Sequence, residues 1–101
     1  MANFVKAADA GEVAPGTGKC VTVNGKEIAL FNVGGVFHAI DNTCLHRGGP
    51  LGEGELDGTT VTCPWHGWQY NVTTGRNIMD ESEGVDRYEV KVEGGAVLIA
   101  V

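Results

Sequence analysis

Three pairs of turn residues constrain this chain more than anything else in it. Cys20-Val21-Thr22-Val23 runs into Asn24-Gly25 and then Lys26 to Val33, Gly34-Gly35 leads into Val36 to Ile40, and Gly94-Gly95 leads into Ala96 to Val101. Asn-Gly and Gly-Gly between strand-like runs are strong short-range hairpin signals, because both central residues can take positive φ. Three consecutive antiparallel strands are therefore expected over 20 to 40, and a terminal hairpin after Tyr88. In that hairpin Tyr88, Val90 and Val92 alternate with Glu89, Lys91 and Glu93, a pattern that predicts one face on a core and one in water. Further short strands are expected at Thr59 to Thr62 and around Gln69 to Val72, and a turn near Ala7 to Glu12. No stretch reads as an amphipathic helix. Many short strands at close spacing indicate an all-β antiparallel sandwich or barrel.

The chain's 101 residues leave room for one domain and one modest core, and 43% hydrophobic with 20% charged residues belongs to a globular protein. Such a chain cannot hold a nucleotide domain beside a catalytic one. The formal charge is −6, and it is lopsided: residues 1–52 hold 4 acids and 4 bases, residues 53–101 hold 9 acids and 3 bases. Nucleic acid and anionic membrane surfaces both call for clustered Lys and Arg, so neither is an expected partner. No apolar run approaches the roughly 20 residues that span a bilayer. Met1 to Ala10 lacks the continuous apolar stretch of a secretory signal, so the expected compartment is the cytoplasm. In a reducing compartment, spaced Cys and His residues point to metal more than to disulfides.

The segment from about Asp41 to Asn71 concentrates that chemistry. Cys44-Leu45-His46 is followed, after 16 residues, by Cys63-Pro64-Trp65-His66. Two short Cys/His pairs on separate loops supply four soft or borderline ligands. A zinc site has the same inventory, but zinc fingers usually pair Cys with Cys and His with His. Mixed pairs suit a [2Fe–2S] cluster with two thiolates on one iron and two imidazoles on the other.

Cys44-Leu45-His46-Arg47-Gly48 with Cys63-Pro64-Trp65-His66-Gly67-Trp68 resembles the paired loops of the Rieske family, in the form found in bacterial ferredoxins and the electron-entry domains of ring-hydroxylating oxygenases. The resemblance implies a single Rieske [2Fe–2S] domain over residues 1–101: an antiparallel β-sandwich base with a projecting two-loop cluster-binding subdomain at about 41–75. It implies that Cys44 and Cys63 bind the inner iron, and His46 and His66 the outer, more exposed one. Two cysteines that form a disulfide in the membrane-complex branch are replaced by Gly49 and Trp65. A serine that donates a hydrogen bond to a sulfide there is Trp68 here, while the tyrosine is kept as Tyr70. Fewer hydrogen bonds to the sulfurs lower the potential, toward roughly −150 mV at the low end of the family range.

The expected role is therefore a one-electron carrier, not an enzyme. It would pass electrons from an NAD(P)H-dependent flavoprotein reductase to a multicomponent aromatic-ring-hydroxylating oxygenase, as a cytoplasmic monomer. The alternative is a Rieske-like small subunit of a nitrite reductase or a similar complex. Gly48, Gly49 and Gly67 are expected to bring backbone close to the cluster, Pro64 to fix the second loop, and Trp65 and Trp68 to wall it off from water. The loop between Asn77 and Val85 carries Met79-Asp80-Glu81-Ser82-Glu83-Gly84 where relatives commonly place a proline, which predicts a more acidic and more mobile cover. With Asp86, Glu89, Glu93, Glu53, Glu55 and Asp57, these acids form a candidate docking collar for basic partners. His38 reads as a sheet histidine and Cys20 as a small buried hydrophobe. One spare histidine cannot build a mononuclear oxygenase iron site. Gly18-Lys19 lacks the upstream glycine and following Ser or Thr of a phosphate loop.

Overall fold

The two turns that lead the sequence reading take the backbone that their residues allow. Asn24 has φ 50° and Gly25 φ 79°; Gly34 and Gly35 have φ 59° and 96°. Positive φ at both central residues matches the twist of the strands on either side, so each pair closes a tight hairpin. The computed structural model describes residues 4–43, 50–65, 67–80 and 82–100.

Strands β1 (Phe4–Asp9), β2 (Thr17–Val23), β3 (Lys26–Val33) and β4 (Val36–Asp41) come first, with a 3₁₀ turn at Ala10–Glu12. A second 3₁₀ turn at Leu51–Glu53 precedes β5 (Glu55–Asp57), β6 (Thr60–Thr62) and β7 (Gln69–Asn71). The chain ends with β8 (Arg87–Tyr88), β9 (Val90–Glu93) and β10 (Ala96–Ala100). All pairings are antiparallel and give three sheets, ordered β1-β10-β9, β2-β3-β4-β8 and β5-β6-β7. The architecture is all-β, as the hairpin signals require.

Strand β3 explains how the sheets stack. Alternate residues of a strand point to opposite faces. Ile28 and Leu30 join one buried cluster with Val21, Val23, Ala39, Val97 and Ile99, whereas Ala29 and Phe31 join another with Ile40, Leu51, Val61, Cys63 and Tyr70. The four-stranded sheet is thus a middle layer, with β1-β10-β9 against one face and the small β5-β6-β7 sheet against the other. A strand buried on both faces reads as a continuous apolar run, and Ile28 to Phe31 is one.

Two strands escape the sequence reading. β1 replaces much of the turn expected near Ala7 to Glu12, because its register comes from β10 at the far end of the chain, with Phe4 opposite Ala100. β5 is three residues long, with exposed acids at both ends. The tail departs from simple alternation. β8 pairs with β4 while β9 pairs with β10, so the chain changes sheets at Glu89. Tyr88 and Val90 pack on the Ile28 and Leu30 cluster, but Val92 is exposed.

Candidate metal centre

The site is built on two loops and the segments that root them. The first loop leaves β4 at Asp41 and returns at Pro50, and Thr43 and Pro50 form a β-bridge that closes it. Behind that bridge the Leu51 N–H donates to the Asn42 carbonyl (2.7 Å), and the Gly52 N–H to Asn42 Oδ1 (2.7 Å). Asp41 fastens the same foot to β8. Its N–H donates to the Asp86 carbonyl (2.9 Å), and the Tyr88 hydroxyl donates to Asp41 Oδ1 (2.6 Å). Burial, and then this bond to a carboxylate, push the Tyr88 phenol well above its ordinary range.

The second loop is the tip of the β6–β7 hairpin. The Cys63 N–H donates to the Trp68 carbonyl (2.7 Å) and the Gly67 N–H to the Cys63 carbonyl (3.1 Å), a tight return that Gly67 makes at φ 76°. Cys63 is 2% exposed, in the cluster that holds Leu51 and Tyr70. Cys63 stands at the end of a hairpin that shares its core with the foot of the first loop, a place where a cysteine can hold an iron–sulfur cluster away from water. Trp68 packs against that core, but Trp65 is 57% exposed. Trp68 is thus placed as a wall residue would be, whereas Trp65 stands at the surface.

A third segment, 77–83, lies next to the hairpin. Tyr70 and Asn77 form a bridge, and the Ile78 N–H donates to the Gln69 carbonyl (2.9 Å). Buried Asn77 turns the chain by accepting the Met79 and Asp80 N–H groups on Oδ1 (2.7 and 3.2 Å). The Asp80 carboxylate accepts from Ser82 N–H (3.0 Å) and hydroxyl (2.6 Å), which holds its pKa below the ordinary value. These bonds tie the described part of the segment to the hairpin and to itself. Met79 is 86% exposed, and a cavity of about 460 Å³ separates Gly67 and Trp68 from Met79 and Glu83.

Of the four expected ligands, Cys63 is placed; Cys44, His46 and His66 lie outside the described residues, as do Arg47, Gly48, Gly49 and Glu81. Gly67 is described at the hairpin tip, and Pro64 is exposed there. His38 sits half-buried on β4, opposite Phe31, and its pKa is lowered by burial and then by Arg87. Cys20 is exposed, contrary to the buried role expected of it: β2 turns Val21 and Val23 to the core and Cys20 to the opposite side. Its thiol donates to Asn42 Oδ1 (3.1 Å), and burial together with Glu53 pushes its pKa up. The sequence reading missed Asn42 and Asn77. Their only advance signal is an asparagine at the edge of a loop, where Asx turns form.

The Rieske [2Fe-2S] domain family matches residues 3–91. The chain belongs to that family, and its cofactor is a Rieske-type [2Fe–2S] cluster. It is 38% identical over 89 residues, covering 87% of this chain and 86% of the relative, to the ferredoxin component of the naphthalene 1,2-dioxygenase system of Pseudomonas aeruginosa. A chain in the complex of reduced oxygenase and oxidised ferredoxin of carbazole 1,9a-dioxygenase is 35% identical, with a TM-score of 0.87 over 96% of this chain and 92% of that one. A Mycobacterium tuberculosis protein assigned as the small subunit of an NADH-dependent nitrite reductase superposes with a TM-score of 0.92 over 100% and 96% of the two chains. At 23% identity that likeness shows the fold alone.

Proposed function

We propose that the chain carries single electrons from an NAD(P)H-dependent flavoprotein reductase to the terminal oxygenase of an aromatic-ring-hydroxylating system. In this reading it works in the cytoplasm, with residues 1–101 acting as one domain. Cys44 and Cys63 hold the inner iron, and His46 and His66 the outer one. When bound, the cluster supplies one reversible electron, at a potential raised above all-cysteine clusters by the two neutral imidazoles.

The chain's own residues do the rest. Leu51, Tyr70 and Trp68 keep water from the Cys63 side, and exposed Trp65 and Met79 offer apolar contact at the same end of the molecule. Asp80 and Glu83, with Asp86 nearby in sequence, steer a basic partner toward that end. The observation that carries the reading is likeness on both counts: sequence identity above 30% over nearly the full length of a dioxygenase ferredoxin component, and a matching fold in a ferredoxin–oxygenase complex. The nitrite reductase alternative rests on fold alone.

A spectroelectrochemical titration tests the carrier role, with a single one-electron wave expected at roughly −150 mV. Reconstitution with a flavoprotein reductase and a ferredoxin-depleted naphthalene dioxygenase should restore turnover, at a rate that falls as salt rises through the range where the Debye length drops below about 10 Å. Stable co-purification with a sirohaem subunit and no transfer to an oxygenase would overturn the assignment.

A further inference from the structure

We propose that Asn42 is a positioning residue for the cluster: it fixes the first ligand loop by clasping the loop's two feet and β2 with one amide oxygen. The proposal rests on the ligand reading above. Asn42 stands two residues before Cys44 and is 6% exposed. Its Oδ1 accepts the Gly52 N–H at 2.7 Å from the returning foot and the Cys20 thiol at 3.1 Å from β2. Its own N–H donates to the Glu27 carbonyl of β3 (3.2 Å), and its carbonyl accepts from Leu51 (2.7 Å). The leaving foot, the returning foot, β2 and β3 therefore meet at one buried residue, β2 through its side chain, β3 through its backbone and the returning foot through both.

Gly52 shows how tightly the returning foot is pressed down. A Cβ there would lie 2.7 Å from Cys20 Sγ and 2.8 Å from the Cys20 nitrogen, so the 3₁₀ turn at 51–53 rests directly on β2. With no side chain at 52 to anchor that foot, the hold falls to its backbone N–H, and Asn42 is the acceptor. Without the amide the Gly52 N–H is left buried and unpaired, and the foot is held to the first strand only by the backbone Leu51–Asn42 bond and the Thr43–Pro50 bridge. The loop expected to bear Cys44 and His46 is then rooted less firmly, and groups that orient metal ligands typically change metal retention by about 10- to 100-fold when removed.

Asn32 supplies the control. It is similarly buried and also joins two segments, donating to the Val13 carbonyl (2.8 Å) and accepting from Gly35 (2.8 Å), and among the described residues its side-chain bonds reach neither root of the ligand loops. The experiment compares the holoprotein, Asn42→Ala, Asn42→Asp and Asn32→Ala by thermal unfolding, by the rate of visible bleaching under an iron chelator, and by the paramagnetic resonance of the reduced form. Asn42→Ala is expected to bleach about 10- to 100-fold faster and to show a shifted or broadened signal. Asn42→Asp, which keeps the acceptor oxygen, should bleach within about threefold of wild type, and Asn32→Ala likewise despite its lower melting temperature. If Asn42→Ala does not accumulate with its cluster, Asn42→Ser takes its place, with at least a threefold faster bleach expected. Wild-type bleaching and signal in the alanine or serine variant would overturn the inference, as would equal acceleration in Asn32→Ala or in Asn42→Asp. A wild-type chain without a Rieske-type signal would overturn the ligand reading and this inference together.

Discussion

The two sides of the middle sheet are held by different chemistry. On one side, Val21, Val23, Ile28, Leu30, Val97 and Ile99 bury an almost purely aliphatic cluster between β2-β3-β4-β8 and β1-β10-β9, where Asn32 is the single buried amide among the described residues. On the other, an apolar cluster around Leu51, Val61, Cys63 and Tyr70 is ringed by side chains that fasten backbone: Asn42 at the first loop, Asn71 at the turn after β7, Asn77 at the acidic segment. Aliphatic packing is non-directional and tolerant of which residue supplies it. A buried amide fixes specific atoms, at the risk of a large penalty if one partner goes. The contrast teaches that the base supplies stability while the loop side supplies position, which is what a metal centre needs.

The sharpest way to break that comparison is at the cysteines. Cys63→Ser should abolish cluster incorporation, seen as iron and acid-labile sulfide per chain falling to background, whereas Cys20→Ser should keep both at wild-type levels. Circular dichroism of the Cys63 variant should retain the β signal of the base.

Next come paired core deletions. Ile99→Ala and Leu51→Ala each remove a fully buried aliphatic chain and should each cost about 2–5 kcal/mol in denaturant unfolding. Only Leu51→Ala, whose side chain shares a cluster with Cys63, should also hasten cluster loss. Equal cluster loss in both variants would erase the distinction between the two sides.

A smaller effect is expected at the strut between β8 and the first loop. Tyr88→Phe removes the bond to Asp41 and should cost about 1–2 kcal/mol at neutral pH. Because folding raises the Tyr88 pKa, its contribution is complete below about pH 10, the phenol's unfolded value, and is lost as pH rises from there toward the higher folded value. Thermal unfolding of wild type and variant should therefore differ by a constant amount from pH 6 to 9 and converge above about pH 10.

The smallest effect is at His38. Its folded pKa is depressed, so wild type should lose stability as pH falls below about 6.5, the unfolded value, toward the lower folded one. His38→Gln should reduce that loss by less than about 1 kcal/mol, as befits a half-exposed group on the base.

What the sequence disclosed follows the same division. The hairpins of β2 to β4 and of β9 and β10 were legible because Asn24-Gly25, Gly34-Gly35 and Gly94-Gly95 carry their turn geometry locally. β1 was not, since its partner is some ninety positions away and Phe4 to Ala8 alternates only weakly. The change of sheets at Glu89 was equally hidden, because the alternation from Tyr88 to Val92 continues through it while the pairing does not. Cys63 is expected as a ligand from spacing and resemblance, and the fold adds where it stands, buried at a hairpin tip. Asn42 could not be singled out, because an asparagine in a loop looks like any turn former until the fold buries it against Gly52 and Cys20. Cys20 misled for a related reason: hydrophobicity alone does not say which side of β2 it takes.

The central claim is a cluster held by two thiolates and two imidazoles, and it is tested most directly by nitrogen couplings. Pulsed paramagnetic resonance of the reduced protein, grown with ¹⁵N-labelled histidine, should show two inequivalent histidine nitrogens coupled to the iron, and His38→Gln should leave both unchanged. A reduced protein with no histidine coupling, or a wild-type chain holding zinc and no sulfide, would contradict the account.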